Sequence, residues 1–303
     1  FDEIHKYRKW RNYLKGIYDE FKDEKKIMVT GSARLDLYRF GGDSLQGRYH
    51  YLRLHPFSAA ELKIEKQKDL EMLLKLSGFP EPFLSGSEIQ AKRWSREYRS
   101  RLIREDLTLL ENILDLGTLE LLMIRLPELV GSPLSIQSVC EDLQKSHRAI
   151  SNWLFILEKL YGVFRISPFG PPKVRAVKKE QKPYCFDWSI VSNESFRFEN
   201  LVAVHLLKWV HFIEDTQGRD MELRYFRDVD GREVDFVILE DRKPISFIEC
   251  KWGDDEISKG FHYLKARFPK VESWQISMQG KKDYVSFDGI RVCHCLEFLK
   301  KLV

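Results

Sequence analysis

Two short apolar segments near the C-terminus show the clearest pattern of hydrophobic and polar positions in the chain. Residues 234–238 read Val-Asp-Phe-Val-Ile, and after a polar turn residues 245–252 read Ile-Ser-Phe-Ile-Glu-Cys-Lys-Trp. Apolar runs of this length, bounded by a turn, predict two buried strands. Asp235 would lie on the first strand, with Glu249 and Lys251 on the second. Because residues i and i+2 share a face of a strand, we expect Glu249 and Lys251 to point the same way.

Helical patterns lie on both sides of these strands. Apolar residues recur at helical spacing over residues 195–207, with Glu199 near the start, and residues 255–265 predict a helix after the second strand. Acids and lysines rarely lie inside a buried strand without a partner or a metal. The two acids and the lysine of the strands are therefore the strongest candidates for chemistry in the chain.

Two short amphipathic helices and a basic strand are predicted over residues 132–180. Ser146 is a candidate N-cap of the second helix, Gly162 would end it, and a strand would begin near Phe164. This order is that of a winged helix, whose second helix presents its first polar residues to the major groove of DNA. Winged helices also bind proteins, so both interpretations stay open. The candidate nucleic-acid-binding residues are His147, Arg148, Ser151, Asn152, Lys173 and Arg175.

The N-terminal pattern opens with an acidic pair. Asp2 and Glu3 follow one aromatic residue, an aromatic and charged helix is predicted over residues 10–21, and a strand is predicted over residues 27–30. An Asp-Glu pair at the end of an apolar strand is the arrangement with which ATPases orient magnesium and polarise the attacking water. At a free terminus, the alternative is a pair of solvated side chains.

Composition sets the outer bounds. With 303 residues, 43% hydrophobic and 32% charged, the chain is long enough for two or three domains. The net charge of +4 does not by itself indicate nucleic acid. No apolar run approaches the roughly 18 residues that a membrane helix needs, so we expect a cytoplasmic protein without a membrane partner. Five cysteines without a C-x-x-C pair favour a reduced protein without structural zinc.

The C-terminal pattern of Asp235 followed by Glu249-x-Lys251, preceded by a helix with Glu199, resembles the catalytic core of the PD-(D/E)XK nuclease superfamily. The resemblance implies that Asp235 and Glu249 bind Mg²⁺ or Mn²⁺ with help from Glu199, and that Lys251 activates water. The alternative is an ordinary sheet in which Glu249 and Lys251 form an ion pair at the edge and Asp235 is exposed.

The N-terminal elements resemble the second half of a prokaryotic AAA-type ATPase. The resemblance implies that Asp2 and Glu3 form the Walker B pair, that Thr30 or Ser32 senses phosphate, and that Arg48 supplies a nearby arginine. No G-x-x-x-x-G-K-[ST] phosphate loop occurs in the sequence. We therefore expect no ATPase activity from this chain alone, and ATP binding only in a longer form or with a partner that supplies the P-loop half.

The sequence thus predicts an α/β, multidomain chain. The expected parts are a remnant of a nucleotide-binding domain (1–60), a helical connector (61–115), a winged helix (116–180) and a nuclease-like α/β domain (181–303). The expected function is DNA processing by metal-dependent phosphodiester hydrolysis. The alternative is a non-catalytic DNA- or protein-binding module that regulates an ATPase. DNA is the expected partner, and a homo-oligomer is possible.

Overall fold

The computed structural model of the chain describes residues 1–31, 45, 47–103, 115–170 and 181–303, which form a mixed α/β structure. Near the N-terminus, a 3₁₀ turn (Ile4–Lys6) precedes helix α1 (Trp10–Phe21). The strand predicted over residues 27–30 is not formed, and the segment lies beside Phe1 without regular secondary structure. Two backbone hydrogen bonds of 2.8 Å join them, from Thr30 N to the Phe1 carbonyl and from the Phe1 ammonium to the Met28 carbonyl.

Among the described residues of the predicted connector there are three helices: α2 (Gln67–Leu76), α3 (Pro80–Ser85) and α4 (Glu88–Arg101). Proline at the first position of α3 suits a helix start, because that position needs no donated hydrogen bond. Gly78, in the turn between α2 and α3, allows Trp188 and Phe57 to approach that turn closely. A Cβ there would lie 2.4 Å from the Trp188 ring and 2.8 Å from the Phe57 carbonyl oxygen, so a larger residue would separate these segments.

The segment before α2 packs against the long helix α8 (Glu194–Gln217). Arg53 Nη2 lies 2.6 Å from Asp215 Oδ1 and 2.7 Å from Glu214 Oε2. One turn earlier, His55 Nε2 and His211 Nδ1 are 2.9 Å apart. These contacts attach the segment around residues 53–55 to α8, which also packs against the sheet.

Helices α5 (Leu116–Arg125), α6 (Ile136–Leu143) and α7 (His147–Lys159) follow, with a 3₁₀ turn (Leu126–Leu129) after α5. The predicted N-cap of α7 is confirmed, since Ser146 Oγ accepts a hydrogen bond from Ala149 N at 3.2 Å. The helix ends at Lys159, before the predicted Gly162, because Tyr161 adopts the left-handed conformation with φ of 56°.

In the described part of the chain, eight strands form one mixed sheet in the order β2-β1-β3-β4-β5-β6-β8-β7. Strands β1 and β3, β5 and β6, and β6 and β8 are parallel, and the other neighbours are antiparallel. The strands are β1 (Val163–Phe169), β2 (Lys182–Cys185), β3 (Met221–Arg227), β4 (Glu233–Glu240), β5 (Lys243–Lys251), β6 (Glu272–Ser277), β7 (Tyr284–Val285) and β8 (Arg291–His294).

Strand β1 connects the two parts that the sequence predicts to be separate. Its first half, Val163 to Ile166, pairs with β2, and its second half, Ser167 to Phe169, pairs with β3. The predicted boundary at residue 180 therefore falls between two strands of one sheet. The division of the chain into domains stays a prediction.

Helices cover the central strands. The main core includes α8 together with Phe236 and Ile248 of the sheet, whereas helix α9 (Lys259–Arg267) packs with Phe247 in a second core. A short helix α10 (Cys295–Leu299) closes the described structure. Because β4 and β5 lie inside the sheet, their polar residues must find partners within the protein or bind a ligand.

Candidate functional site

A β-bulge on β4 contains Asp235. Arg224 of β3 pairs with Val237 of β4, and Phe226 pairs with Val234. The step between these two pairs is two residues long on β3 and three residues long on β4. Val234 and Val237 consequently both pack in the second core, although regular alternation would place them on opposite faces. The bulge leaves Asp235 half-buried, and its Oδ2 accepts a hydrogen bond of 2.8 Å from Cys250 N.

Glu249 and Lys251 lie together on β5, as the sequence predicts. Lys251 Nζ donates a 2.9 Å hydrogen bond to Glu249 Oε1. Glu249 is only 5% exposed, and β5 lies between β4 and β6, so the pair is not at a sheet edge. Glu249 Oε2 is buried and has no hydrogen-bond partner within the described ranges. The pairing of Phe236 with Ile248 places Asp235 opposite Glu249 at the next position.

A second group of polar residues surrounds Glu199 at the start of α8. Tyr184 donates a 2.7 Å hydrogen bond from its hydroxyl to Glu199 Oε1, and Lys182 Nζ lies 3.7 Å from the same oxygen. Lys182 also forms an ion pair with Glu233, and its ammonium lies 5.2 Å from the centre of the Tyr225 ring. Both Lys182 and Tyr184 are fully buried.

The electrostatics link both groups through Asp235. Burial, followed by the charge of Asp235, raises the pKa of Glu199 to about 7 and that of Glu249 to about 8. Burial also raises the pKa of Asp235 itself. These shifts favour the neutral form of the acids, whereas the shifts of the two lysines favour their charged form. Although burial disfavours their ammonium groups, the neighbouring carboxylates raise the pKa of both Lys182 and Lys251.

The donor set fits a single divalent cation at Asp235 and Glu249. Carboxylate oxygens are preferred ligands of Mg²⁺ and Mn²⁺. No lysine, arginine or histidine of the described segments forms an ion pair with Asp235, and Glu249 has one free oxygen. In the same segments, no three His, Cys, Asp or Glu side chains are grouped so as to hold a metal ion. The help of Glu199 in holding the cation stays a prediction.

The nucleotide-binding candidates are partly brought together. The Thr30 hydroxyl donates a hydrogen bond to Asp2 Oδ1. Glu3 pairs with Lys6 at 3.4 Å, and Arg48 Nε lies 3.0 Å from Asp19 Oδ1 on α1. Ser32 lies outside the described residues. The structure therefore brings Asp2 and Thr30 into contact, and pairs Arg48 with Asp19 of helix α1.

The nucleic-acid-binding candidates of α7 lie at its first turns. His147, Arg148 and Asn152 are exposed, and Ser151 is half-buried with its Oγ 3.3 Å from His147 Nδ1. Lys173 and Arg175 lie outside the described residues. These positions stay a prediction of a nucleic-acid interface.

Sequence reasoning missed Lys182, Tyr184 and Glu233. A lysine two residues from a tyrosine in an otherwise apolar strand is one signal that a partner exists. Glu233 stands two residues before Asp235, so the spacing on β4 is a second signal. Neither signal identifies Glu199 as the partner, because that pairing depends on how β2 packs beside α8.

Comparisons with known proteins divide the chain into three parts. Residues 1–63 match the family model of an AAA domain, which confirms at that coarse level the predicted relation to AAA-type ATPases. Residues 67–197 match a domain of unknown function, DUF8612, and residues 195–298 match a second one, DUF4143. Among the described residues, no helix has the length and apolar character that crossing a membrane requires.

An uncharacterised protein of Methanocaldococcus jannaschii is similar to most of the chain. It is 25% identical over 272 residues, which are 81% of this chain and 59% of that protein. The chain thus spans less than two thirds of that relative's length. No solved structure matches the chain significantly.

Proposed function

We propose that the site at Asp235, Glu249 and Lys251 hydrolyses phosphodiester bonds with the help of a bound divalent cation, and that DNA is its substrate. The observation that carries the proposal is the buried Glu249, whose free Oε2 lies on the strand opposite Asp235 while Lys251 donates to its other oxygen. Burying a carboxylate oxygen without a partner costs free energy, and a bound cation would offset that cost.

The resemblance to PD-(D/E)XK nucleases supports these roles. Helix α8, strands β3 to β5 and helix α9 follow one another in the order that the resemblance implies. When bound, Mg²⁺ or Mn²⁺ would polarise a phosphoryl oxygen and lower the pKa of a bound water. Asp235 and Glu249 would hold the cation. Lys251 would orient the attacking water and stabilise the charge that develops on the phosphate.

The AAA domain match supports an attached ATPase-like module. In the proposal, Asp2, Glu3, Thr30 and Arg48 contribute to nucleotide binding only together with a P-loop segment, since this sequence contains none. The polar residues at the start of α7 would face the major groove, and Arg148, Lys173 and Arg175 would contact DNA phosphates. That binding should weaken steeply with salt, because each phosphate contact releases a counterion.

One observation favours the second candidate, a non-catalytic regulatory module. Lys182 and Lys251 already form ion pairs with buried acids, so part of the buried charge is compensated without a metal. In that case the buried pairs serve the fold alone, and removing one partner destabilises the protein. Cation binding separates the two candidates.

Cleavage assays test the proposal. Single- and double-stranded DNA are incubated with the protein and Mg²⁺ or Mn²⁺, using wild type, Asp235→Asn and Glu249→Gln. Glu272→Gln, an exposed acid on neighbouring β6, is the matched control. We expect metal-dependent cleavage by wild type and control, and loss of cleavage in both site variants. If wild type binds no divalent cation and cuts neither substrate, the regulatory candidate stands.

A further inference from the structure

Lys182 is a buried cation that neither resemblance explains. It lies on β2, outside the motif formed by Asp235, Glu249 and Lys251, and has no exposed surface. Its ammonium pairs with Glu233, lies 3.7 Å from Glu199 Oε1, and faces the Tyr225 ring. A lysine is rarely buried so completely unless its charge is matched by specific partners.

The protein itself also holds Glu199 through one of its carboxylate oxygens. Oε1 accepts the hydrogen bond from Tyr184 and lies next to Lys182. Oε2 lies against Gly131, where an added Cβ would be 3.0 Å from it. Gly131 has φ of +79°, a conformation that favours glycine, so the loop can approach the carboxylate closely. The Oε1 oxygen is therefore already held by Tyr184 and Lys182.

We propose that the Lys182 ammonium permanently occupies the place that a second divalent cation would take between Glu199 and Glu233. The site then accepts one cation, at Asp235 and Glu249, and Glu199 is a positioning residue and not a metal ligand. The inference rests on the proposed function, since it concerns the cation of that site.

Charge and access both support this assignment. Lys182 forms an ion pair with Glu233, lies 3.7 Å from Glu199 Oε1 and interacts with the charge of Asp235, so it offsets part of the negative charge of all three acids. A second cation at Glu199 would lie beside a fixed positive charge, which repels it. Expelling the ammonium would require Lys182 to leave a position with no exposed surface.

Manganese binding to the intact protein tests the inference. Calorimetry should give one Mn²⁺ per chain for wild type. Glu199→Gln should lower the Mn²⁺ affinity by no more than about tenfold, the smallest effect typical of residues that position metal ligands without binding the metal. Glu249→Gln, which removes a ligand, should lower the affinity by about a hundredfold or more. Two ions per wild-type chain, or equal losses in the two variants, would overturn the inference and leave the proposed function intact.

Substitution of the lysine gives an independent test. Lys182→Gln should open a second cation site, so that the electron paramagnetic resonance spectrum shows two coupled Mn²⁺ ions about 4 Å apart. The double variant Lys182→Gln with Glu199→Gln should lose the second ion, and Lys182→Arg should bind one. A folded Lys182→Gln protein that binds only one ion contradicts the inference. If that variant does not fold, Glu199→Gln and Lys182→Arg decide.

If wild type binds no manganese, the proposed function fails and this inference fails with it. That outcome differs from the two results that overturn the inference alone. Stoichiometry and affinity are read without any cleavage assay, so inactivity towards one DNA substrate does not affect the test.

Discussion

A cation that binds Glu249 must displace a proton, and this makes its affinity depend on pH. The pKa of Glu249 is raised to about 8 by burial and by the charge of Asp235. At pH 6.5 the carboxyl is therefore protonated in roughly 30 of every 31 molecules, and binding of Mn²⁺ should release about one proton. Between pH 6.5 and 7.5 the affinity should rise about eightfold, which is about 1 kcal/mol. Above pH 8 it should level off.

Calorimetry in two buffers of different ionisation enthalpy measures the released protons directly. At pH 6.5 the apparent enthalpy should differ between the buffers by the equivalent of about one proton, and by about half a proton at pH 8. Glu272→Gln, which changes an exposed acid, should behave as wild type. If the protein binds Mn²⁺ at about pH 6.5 without releasing a proton, Glu249 is not a ligand that is protonated before the cation binds, and the assignment is refuted.

Three further predictions concern stability. Gly131→Ala should lower the free energy of unfolding by about 1–3 kcal/mol, because φ is positive and the Cβ would lie 2.6 Å from the Phe196 ring and 3.0 Å from Glu199 Oε2. Urea unfolding measures this change, and an unchanged free energy of unfolding contradicts that packing. Arg53→Ala should lower the free energy of unfolding by about 1–3 kcal/mol in the same assay, because Asp215 loses its partner. Arg53→Lys should recover only part of the lost stability, since lysine lacks the forked geometry of arginine. Full recovery by lysine would contradict this role of the guanidinium. Burial lowers the pKa of His55 to about 4, so the unfolded chain binds a proton at a higher pH than the folded protein does. The contribution of neutral His55 to stability is therefore fully present above pH 6.5 and is lost as pH falls towards 4. Between pH 7.5 and 5, the free energy of unfolding should fall by about 2 kcal/mol more for wild type than for His55→Gln, and equal losses would refute this prediction.

Local patterns predicted the elements that depend on neighbouring residues. Helix α7 begins after its predicted cap, Ser146, and the two apolar segments form the hairpin of β4 and β5. The hydrogen bond between Lys251 and Glu249 follows from the two-residue period of a strand. These features are encoded within a few positions, where sterics and hydrogen bonding fix the outcome.

The sequence could not predict what depends on distant pairing. The bulge at Asp235 exists because β4 inserts one residue against β3, and nothing in Val-Asp-Phe-Val-Ile marks that extra residue. Lys182 reaches Glu199 only because β2 and α8 both border the same sheet. Strand β1 pairs in parallel with β3, which follows it by more than fifty residues. Such contacts depend on long-range packing.

Lys251 provides the most direct test of a catalytic site, because its proposed role begins after the cation has bound. Lys251→Ala should bind Mn²⁺ with an affinity close to that of wild type and should fail to cleave DNA. Lys243→Ala, an exposed lysine at the other end of β5, should retain both properties. Cation binding measured by calorimetry and DNA cleavage measured on the same preparation give the answer. A Lys251→Ala protein that cuts DNA as fast as wild type, or that loses the cation, would contradict the account.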